Sequence, residues 1–562
     1  MVNVKNLFGM AVMATALVGC SSNDNLAPDG NEGNKDGAAY ASFTINLPTT
    51  RATRATEGEP TFAEGDAKEY EVKNGTILIF TDDGKYVTSA QLGNMNPWKD
   101  IKTDGVTTAA TATVKLSNVV VGGSYKALVL LNNDVDATTT KVTLPTSGES
   151  YASWSAKAEN ATAAYTKTDY IFMANAPMYT GTSTEPTTLV PVANICASRE
   201  QAEAQPATTV YVERGLAKVT MQKFNADGYA IEAGTYEGGK VEIKAWQLDV
   251  TNKSTFPVHQ TDGLMADWNQ IWNTGRFFDA TSSMFQRVYW GKDPNYSGGT
   301  LQNLAACKDA FNMITKDKVV GEAGNENPQY CLENTFDLDN MKQGQTTRVV
   351  FKAVFTPKDF VTGHTFYKIG NNTAIWNAVN LAQQIKTVAL TVMGITNADE
   401  QAKYEVKLDA ASNSISGEAG LHKITAENIT YTGDAANNKV DQKVVNTIND
   451  KLGLKEDGGK ITSGIATYLH GEAYYIARVK HFNELTHWEA GQVYGTDNGA
   501  FLGRYGVLRN NWYDLSVNSI SGLGYPDVPE VKPEMPDDEN EQYINVEVKI
   551  LDWAKRSQSI DL

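Results

Sequence analysis

From residue 38 onward the chain is written in short runs that alternate apolar and polar residues, each ended by Gly, Asn or Asp. A period of two sends successive side chains to opposite faces of an extended strand, so the pattern commits the chain to half-buried β-strands. Ile77-Leu78-Ile79-Phe80 stops at Asp82-Asp83-Gly84-Lys85. Val114-Lys115-Leu116 continues through Val119-Val120-Val121 and Gly122-Gly123 into the apolar run 125–131. Segments 210–212, 216–221, 241–246 and 348–355 have the same character. Many short strands joined by Gly-rich turns predict an all-β chain of sandwiches. Helical spacing is scarce. Ile375, Val379, Ala382 and Ile385 share one helical face, as do Val440, Val444, Ile448 and Leu452, and both segments read as helices covering a sheet. The aromatic stretch 268–290 reads as an insertion that buries its own rings, with a carbohydrate platform as the alternative.

An amphipathic strand stands near each end. Ala41, Phe43, Ile45 and Leu47 alternate with Ser42, Thr44 and Asn46, and the small polar run that follows holds Arg51 and Arg54. Arginines in such a run form an accessible site for a trypsin-like protease. At the far end Ile544, Val546, Val548 and Ile550 alternate with Asn545, Glu547 and Lys549, and Trp553 follows. The preceding segment carries Pro526, Pro529, Pro533 and Pro536 among acids, and reads as an extended, self-repelling linker that joins no core. An unpartnered strand is an aggregation hazard, so both strands need partners. Either each folds into its own domain, or cleavage removes the first and the C-terminal strand of another subunit fills the groove.

Residues 1–20 form an address: Lys5 in a short polar start, an apolar core over 7–18, and Leu17-Val18-Gly19-Cys20, which resembles a bacterial lipobox with Cys20 as the lipidated residue. The polar run 21–37 reads as a tether. Cys196, Cys307 and Cys331 remain, so at most one bridge can form within a chain; a Cys307–Cys331 bridge and buried thiols are both open.

The net charge of −17 argues against nucleic acid and against a polybasic membrane-surface mode. Four cysteines and six histidines in 562 residues exclude a dense disulfide scaffold and a Cys-rich zinc protein. No HExxH, G-x-S-x-G, P-loop or dinucleotide fingerprint stands in a suitable setting, so no enzyme, catalytic residue, cofactor or metal is expected. His470, Glu472, His481 and His487 read as scattered residues, and Asp337-Leu338-Asp339-Asn340 lacks a full calcium loop.

Several segments together resemble the Bacteroidales fimbrillins, most of all the shaft subunit of the short (minor) fimbriae. They are the lipobox, Ser42–Pro48 followed by arginine, 211–219, Tyr330–Thr335 with 346–350, Val507–Ile520, and Ile544–Trp553 after the Pro-rich segment. The resemblance implies two transthyretin-like β-sandwich domains in tandem, with a few covering helices. It implies a signal peptide over 1–20, a tether and propeptide strand over 21–54, sandwiches over 55–226 and 227–521, and a linker with donor strand over 522–562. It further implies lipoprotein export to the outer membrane, cleavage by an arginine-specific protease after Arg54 or Arg51, and polymerisation by donor-strand exchange into an adhesive surface fimbria. The implied partners are other copies of the chain and accessory anchor and tip fimbrillins. The alternatives are an anchor or tip fimbrillin, and a lipid-anchored monomer that binds a glycan or host ligand.

Overall fold

The computed structural model describes residues 38–47, 69, 71–93, 108–161, 163–179, 186–264, 286–287, 290–296, 301, 303–337, 339–408, 415, 419–481, 503–537 and 544–552. Strands dominate among them. The first sheet contains β1 (Ala38–Leu47), β2 (Gly75–Thr81), β3 (Tyr86–Gln91), β4 (Thr108–Ser117), β5 (Tyr125–Leu131), β6 (Met173–Asn175), β7 (Val190–Pro191) and β8 (Thr208–Arg214). Their order is β3-β2-β5-β6-β8-β1-β4, with β7 beside β5. Ile77, Ile79, Val129 and Leu131 enter one core with Phe43, Ile45, Val210 and Val212. The residues between them, Leu78, Phe80, Leu128 and Leu130, enter a second core with Trp154, Phe172, Leu216 and Leu332. Burial on both faces is why 77–80 is a continuous apolar run. One short helix, α1 (Arg199–Ala204), follows β7 and turns Ala202 inward.

The chain changes sheets at Gly215. β9 (Leu216–Met221) pairs with β12 (Gln329–Leu332) and with β18 (Asn511–Ile520), not with the first sheet. The boundary expected at 226 therefore lies downstream of the observed changeover. The pattern of 210–221 is continuous, and only the close approach at Gly215 marks the switch: a Cβ there would collide with the Tyr165 hydroxyl. The opposing sheet has the order β10 (Tyr229–Ala230), β11 (Lys240–Asp249), β13 (Arg348–Thr356), β17 (Glu472–Arg478). Val219, Met221, Tyr513 and Leu515 from one sheet meet Ile243, Trp246, Phe351 and Tyr475 from the other in a single core.

Between β13 and β17 the chain builds a unit with its own core. β14 (Phe366–Ile369), β15 (Gly420–His422) and β16 (Ile465–Tyr468) form a sheet in the order β14-β16-β15. α2 (Ala378–Met393) and α3 (Gln442–Lys451) pack with it around Leu381, Ile385, Tyr404, Ile448 and Ile465. The helix face expected from Ile375, Val379, Ala382 and Ile385 is displaced. Asn377 caps α2, accepting from the Asn380 amide, so Ile375 precedes the helix and Val379 is 77% exposed. Leu381, Ile385, Ala389, Leu390 and Met393 form the buried face.

The final strand, β19 (Ile544–Asp552), pairs antiparallel with β18 at the edge of the β12-β9-β18-β19 sheet. The segment before it, expected to join no core, is docked: Leu523, Val531 and Asp537 are buried. Two of its acids meet cations remote in sequence, Asp527 with Lys316 and Glu530 with Lys460, and Arg348 and Arg478 reach its main chain.

Candidate strand-exchange site

β1 is an interior strand. On one side it runs parallel to β8, with Phe43 opposite Thr208 and Ile45 opposite Val210. On the other it runs antiparallel to β4 along its whole length, from Ala38 opposite Ser117 to Leu47 opposite Thr108. Ala39, Ala41, Phe43 and Ile45 have no solvent exposure. At about 1.5–3 kcal/mol for each large apolar side chain, Phe43 and Ile45 alone stabilise the sheet by roughly 3–6 kcal/mol.

The opposite face of β1 is polar and also engaged. The Ser42 and Thr113 hydroxyls lie 2.7 Å apart, and Ser42 Oγ donates to the Ala202 carbonyl at 2.9 Å. Thr44 and Thr111 hydroxyls meet at 2.9 Å. Tyr40 exchanges two main-chain bonds with Cys196, and Arg199 donates to the Thr113 carbonyl at 2.9 Å. Removing β1 would thus open a slot between two unpaired strand edges, floored by the core and covered by α1.

The C-terminal strand is seated elsewhere. Register sets Ile544, Val546, Val548 and Ile550 opposite Ile520, Val517, Leu515 and Tyr513, which belong to or pack on the core between the β12-β9-β18-β19 and β10-β11-β13-β17 sheets. One irregularity interrupts the ladder between Val517 and Ser519. The structure does not bring β19 to the β1 slot within one chain. Cys20, Arg51, Arg54 and Trp553 lie outside the described residues, as do the side chains of Leu47, Ile544, Val546, Val548 and Ile550. The aromatic stretch 268–290 is described only at 286–287 and Trp290, whose ring is buried against Phe336.

Of the residues weighed for a metal, His487 lies outside the described residues, and the buried histidines have structural partners. His259 Nδ1 lies 2.7 Å from Glu213 Oε1, and Glu333 receives Arg509 Nε at 3.3 Å. His481 Nδ1 lies 2.7 Å from the Tyr513 hydroxyl. Asp337 Oδ1 accepts from the Asp339 amide and from Asn340 Nδ2, which engages that oxygen in a local turn. Among the described residues no group of three or more His, Cys, Asp or Glu side chains is placed to hold a metal. Cys196, Cys307 and Cys331 are buried and unbridged, and burial pushes the Cys331 thiol up to about 12.

Sequence reasoning missed the arginines that dock the C-terminal segment. Arg348 opens the apolar strand β13 and Arg478 closes the apolar strand β17, and a buried arginine at such a position needs a specific acceptor; that was the available signal.

No curated protein sequence matches this chain. Among solved structures it is similar to a fimbrilin (FimA) from Porphyromonas gingivalis W83, at 11% identity and TM-score 0.33, over 92% of this chain and 99% of that one. It is also similar to the tip fimbrial protein Mfa3 of Porphyromonas gingivalis, at 10% identity and TM-score 0.28, over 92% and 100% of the two chains. A fimbrial assembly protein from Parabacteroides distasonis ATCC 8503 is similar at 14% identity and TM-score 0.26, over 60% and 93%. All three likenesses are distant. The sequence itself is more specific: residues 466–559, from β16 through β19, match the family of major fimbrial subunit proteins of type IV, fimbrillin, C-terminal.

Proposed function

We propose that this chain is a structural subunit of an adhesive cell-surface fimbria, and within that class a shaft subunit of the minor-fimbria type. The precursor is lipidated at Cys20 and held at the outer membrane. An arginine-specific protease cuts after Arg54 or Arg51. β1 leaves, and β19 of another copy enters between β8 and β4, with anchor and tip fimbrillins at the ends. The observation that carries this reading is the interior position of β1. The strand is buried on its apolar face, paired on both edges, and followed in sequence by Arg51 and Arg54. The fimbrillin match over 466–559 supports it, since that stretch contains β19.

The test is electron microscopy of purified precursor treated with an arginine-specific protease, with and without residues 543–562. Fibres should form only from cleaved, full-length chains. Fibres from the truncated chain, or from uncleaved precursor, would overturn the donor-strand reading.

A further inference from the structure

The segment between β18 and β19 is held at every few residues. Tyr525 exchanges two main-chain bonds with Tyr474 on β17, both 2.8 Å. Arg348, paired through Nε with Asp249 at 2.8 Å, donates from Nη2 to the Pro529 carbonyl at 2.7 Å. Val531 is buried beside Val250, Leu301, Cys307 and Phe311. Gly344 gives Pro533 room: a Cβ there would sit 3.0 Å from the Pro533 Cα. The Gln343 amide donates to the Met535 carbonyl at 3.0 Å, and Lys342 bridges to Pro536. Asp537, 1% exposed, closes the run. Its carboxylate accepts from Thr346 Oγ1 at 2.9 Å, and its main-chain oxygen accepts from Arg478 Nε at 3.1 Å. Arg478 Nη1 also donates to the Thr346 carbonyl at 2.9 Å.

This strap does not resemble a tether made to swing. Burying charged arginines against main-chain oxygens is stabilising only when the acceptors stay in place, because an arginine left without them keeps its desolvation cost. The strap therefore leaves less readily than β19, a strand paired on one edge. From Asp537 to Ile544 the chain spans at most about 25 Å.

We propose, resting on the donor-strand reading above, that residues 523–537 stay seated while β19 is exchanged. Arg348 and Arg478 are the positioning residues that hold them. The neighbouring subunit's slot must then begin within that short reach of Asp537, and the joint between subunits inherits its geometry from the strap's seat.

The test uses Lys342→Cys with Pro536→Cys, which locks the strap by a disulfide confirmed by peptide mapping. After arginine-specific cleavage, oxidised and reduced forms should assemble at rates within about twofold. Assembly blocked when oxidised and restored by reductant overturns the proposal. Hydrogen exchange on the wild-type chain gives an independent reading that needs no variant. The amides of Tyr525 and Asp537 should exchange equally slowly in monomer and fimbria; acceleration of a hundredfold or more in the fimbria overturns the proposal. A wild-type chain that never assembles sinks the donor-strand reading itself, and the strap proposal with it. That outcome is distinct from redox-dependent assembly.

Discussion

Glu69 and Lys218 meet at 2.6 Å, and neither side chain reaches water. Glu69 is the first described residue after the arginine pair at 51 and 54, and Lys218 lies on β9 of the second sandwich. The contact therefore pins the chain downstream of the proposed cleavage site to the far side of the sheet changeover. Arg214 Nε donates to the Glu69 main-chain oxygen at 2.9 Å, and the Tyr330 hydroxyl donates to its carboxylate. The Trp512 ring covers the ammonium at 4.0 Å. A chain cut at Arg54 keeps this pin, so the loss of β1 need not carry β2 with it.

Breaking one side of such a pair is costly because it strands a buried charge. Lys218→Met should destabilise the uncleaved chain by about 3–5 kcal/mol, read from urea unfolding. Adding Glu69→Leu should recover most of that loss. A single-variant cost below about 1 kcal/mol would place the pair among exposed ion pairs and refute the pin.

Asp293 supplies a pH dependence with a definite sign. Burial pushes its carboxyl up to about 7, against the opposing pull of the Thr335 and Asn295 amides. An unfolded aspartate titrates near 3.9. Between about pH 4 and 7 the folded chain thus holds a proton that the unfolded chain has lost. Stability from this group is full below about pH 4, falls as pH rises through that window, and levels off above it. The wild type should lose up to about 4 kcal/mol relative to Asp293→Asn across the window, followed by calorimetry. A pH-independent difference between the two would contradict it.

Under the donor-strand reading, Phe43 distinguishes the precursor from the assembled state. It is fully buried among Ile77, Val114 and Val210, so Phe43→Ala should leave a cavity and cost the precursor about 3–5 kcal/mol. Fimbriae that have discarded β1 should melt at the wild-type temperature. Equal destabilisation of precursor and fimbria would mean that β1 stays in place.

How far the sequence leads depends on whether the decisive contact is local. The strand over 41–47 is legible because alternation is a property of seven adjacent residues. Its interior position is not, since the strands that flank it, Thr108–Ser117 and Thr208–Arg214, are remote and carry no mark of their partner. The strap is the sharper case. Prolines and acids over 526–537 describe a solvated tether when read locally. The groups that dock it, Arg348, Gln343, Thr346 and Arg478, lie far upstream. The cap at Asn377 shows the same limit on a smaller scale: periodicity found a helix, but the start site decides which face is buried.

Under the donor-strand reading β19 has two seats. Val546 stands opposite Val517 and Val548 opposite Leu515 on β18, and Leu515 is fully buried in the core between that sheet and the β10-β11-β13-β17 sheet. In the donor-strand reading the same two residues enter the slot left by β1, where Phe43 and Ile45 were sealed from solvent. Val546→Asp with Val548→Asp should therefore weaken both seats, by an amount set by how much each excludes water. In the monomer the strand is an edge, paired among the described residues with β18 alone. An edge strand can lift away and rehydrate its carboxylates, so the chain should remain folded, at a cost of roughly 1–3 kcal/mol. In the slot the strand lies between β8 and β4, and each unpaired carboxylate costs several kcal/mol with no escape. Monomer circular dichroism and size exclusion should stay close to wild type while assembly after cleavage is lost. A double variant that assembles normally, or one that cannot fold as a monomer, would show that β19 does not serve as the exchanged strand.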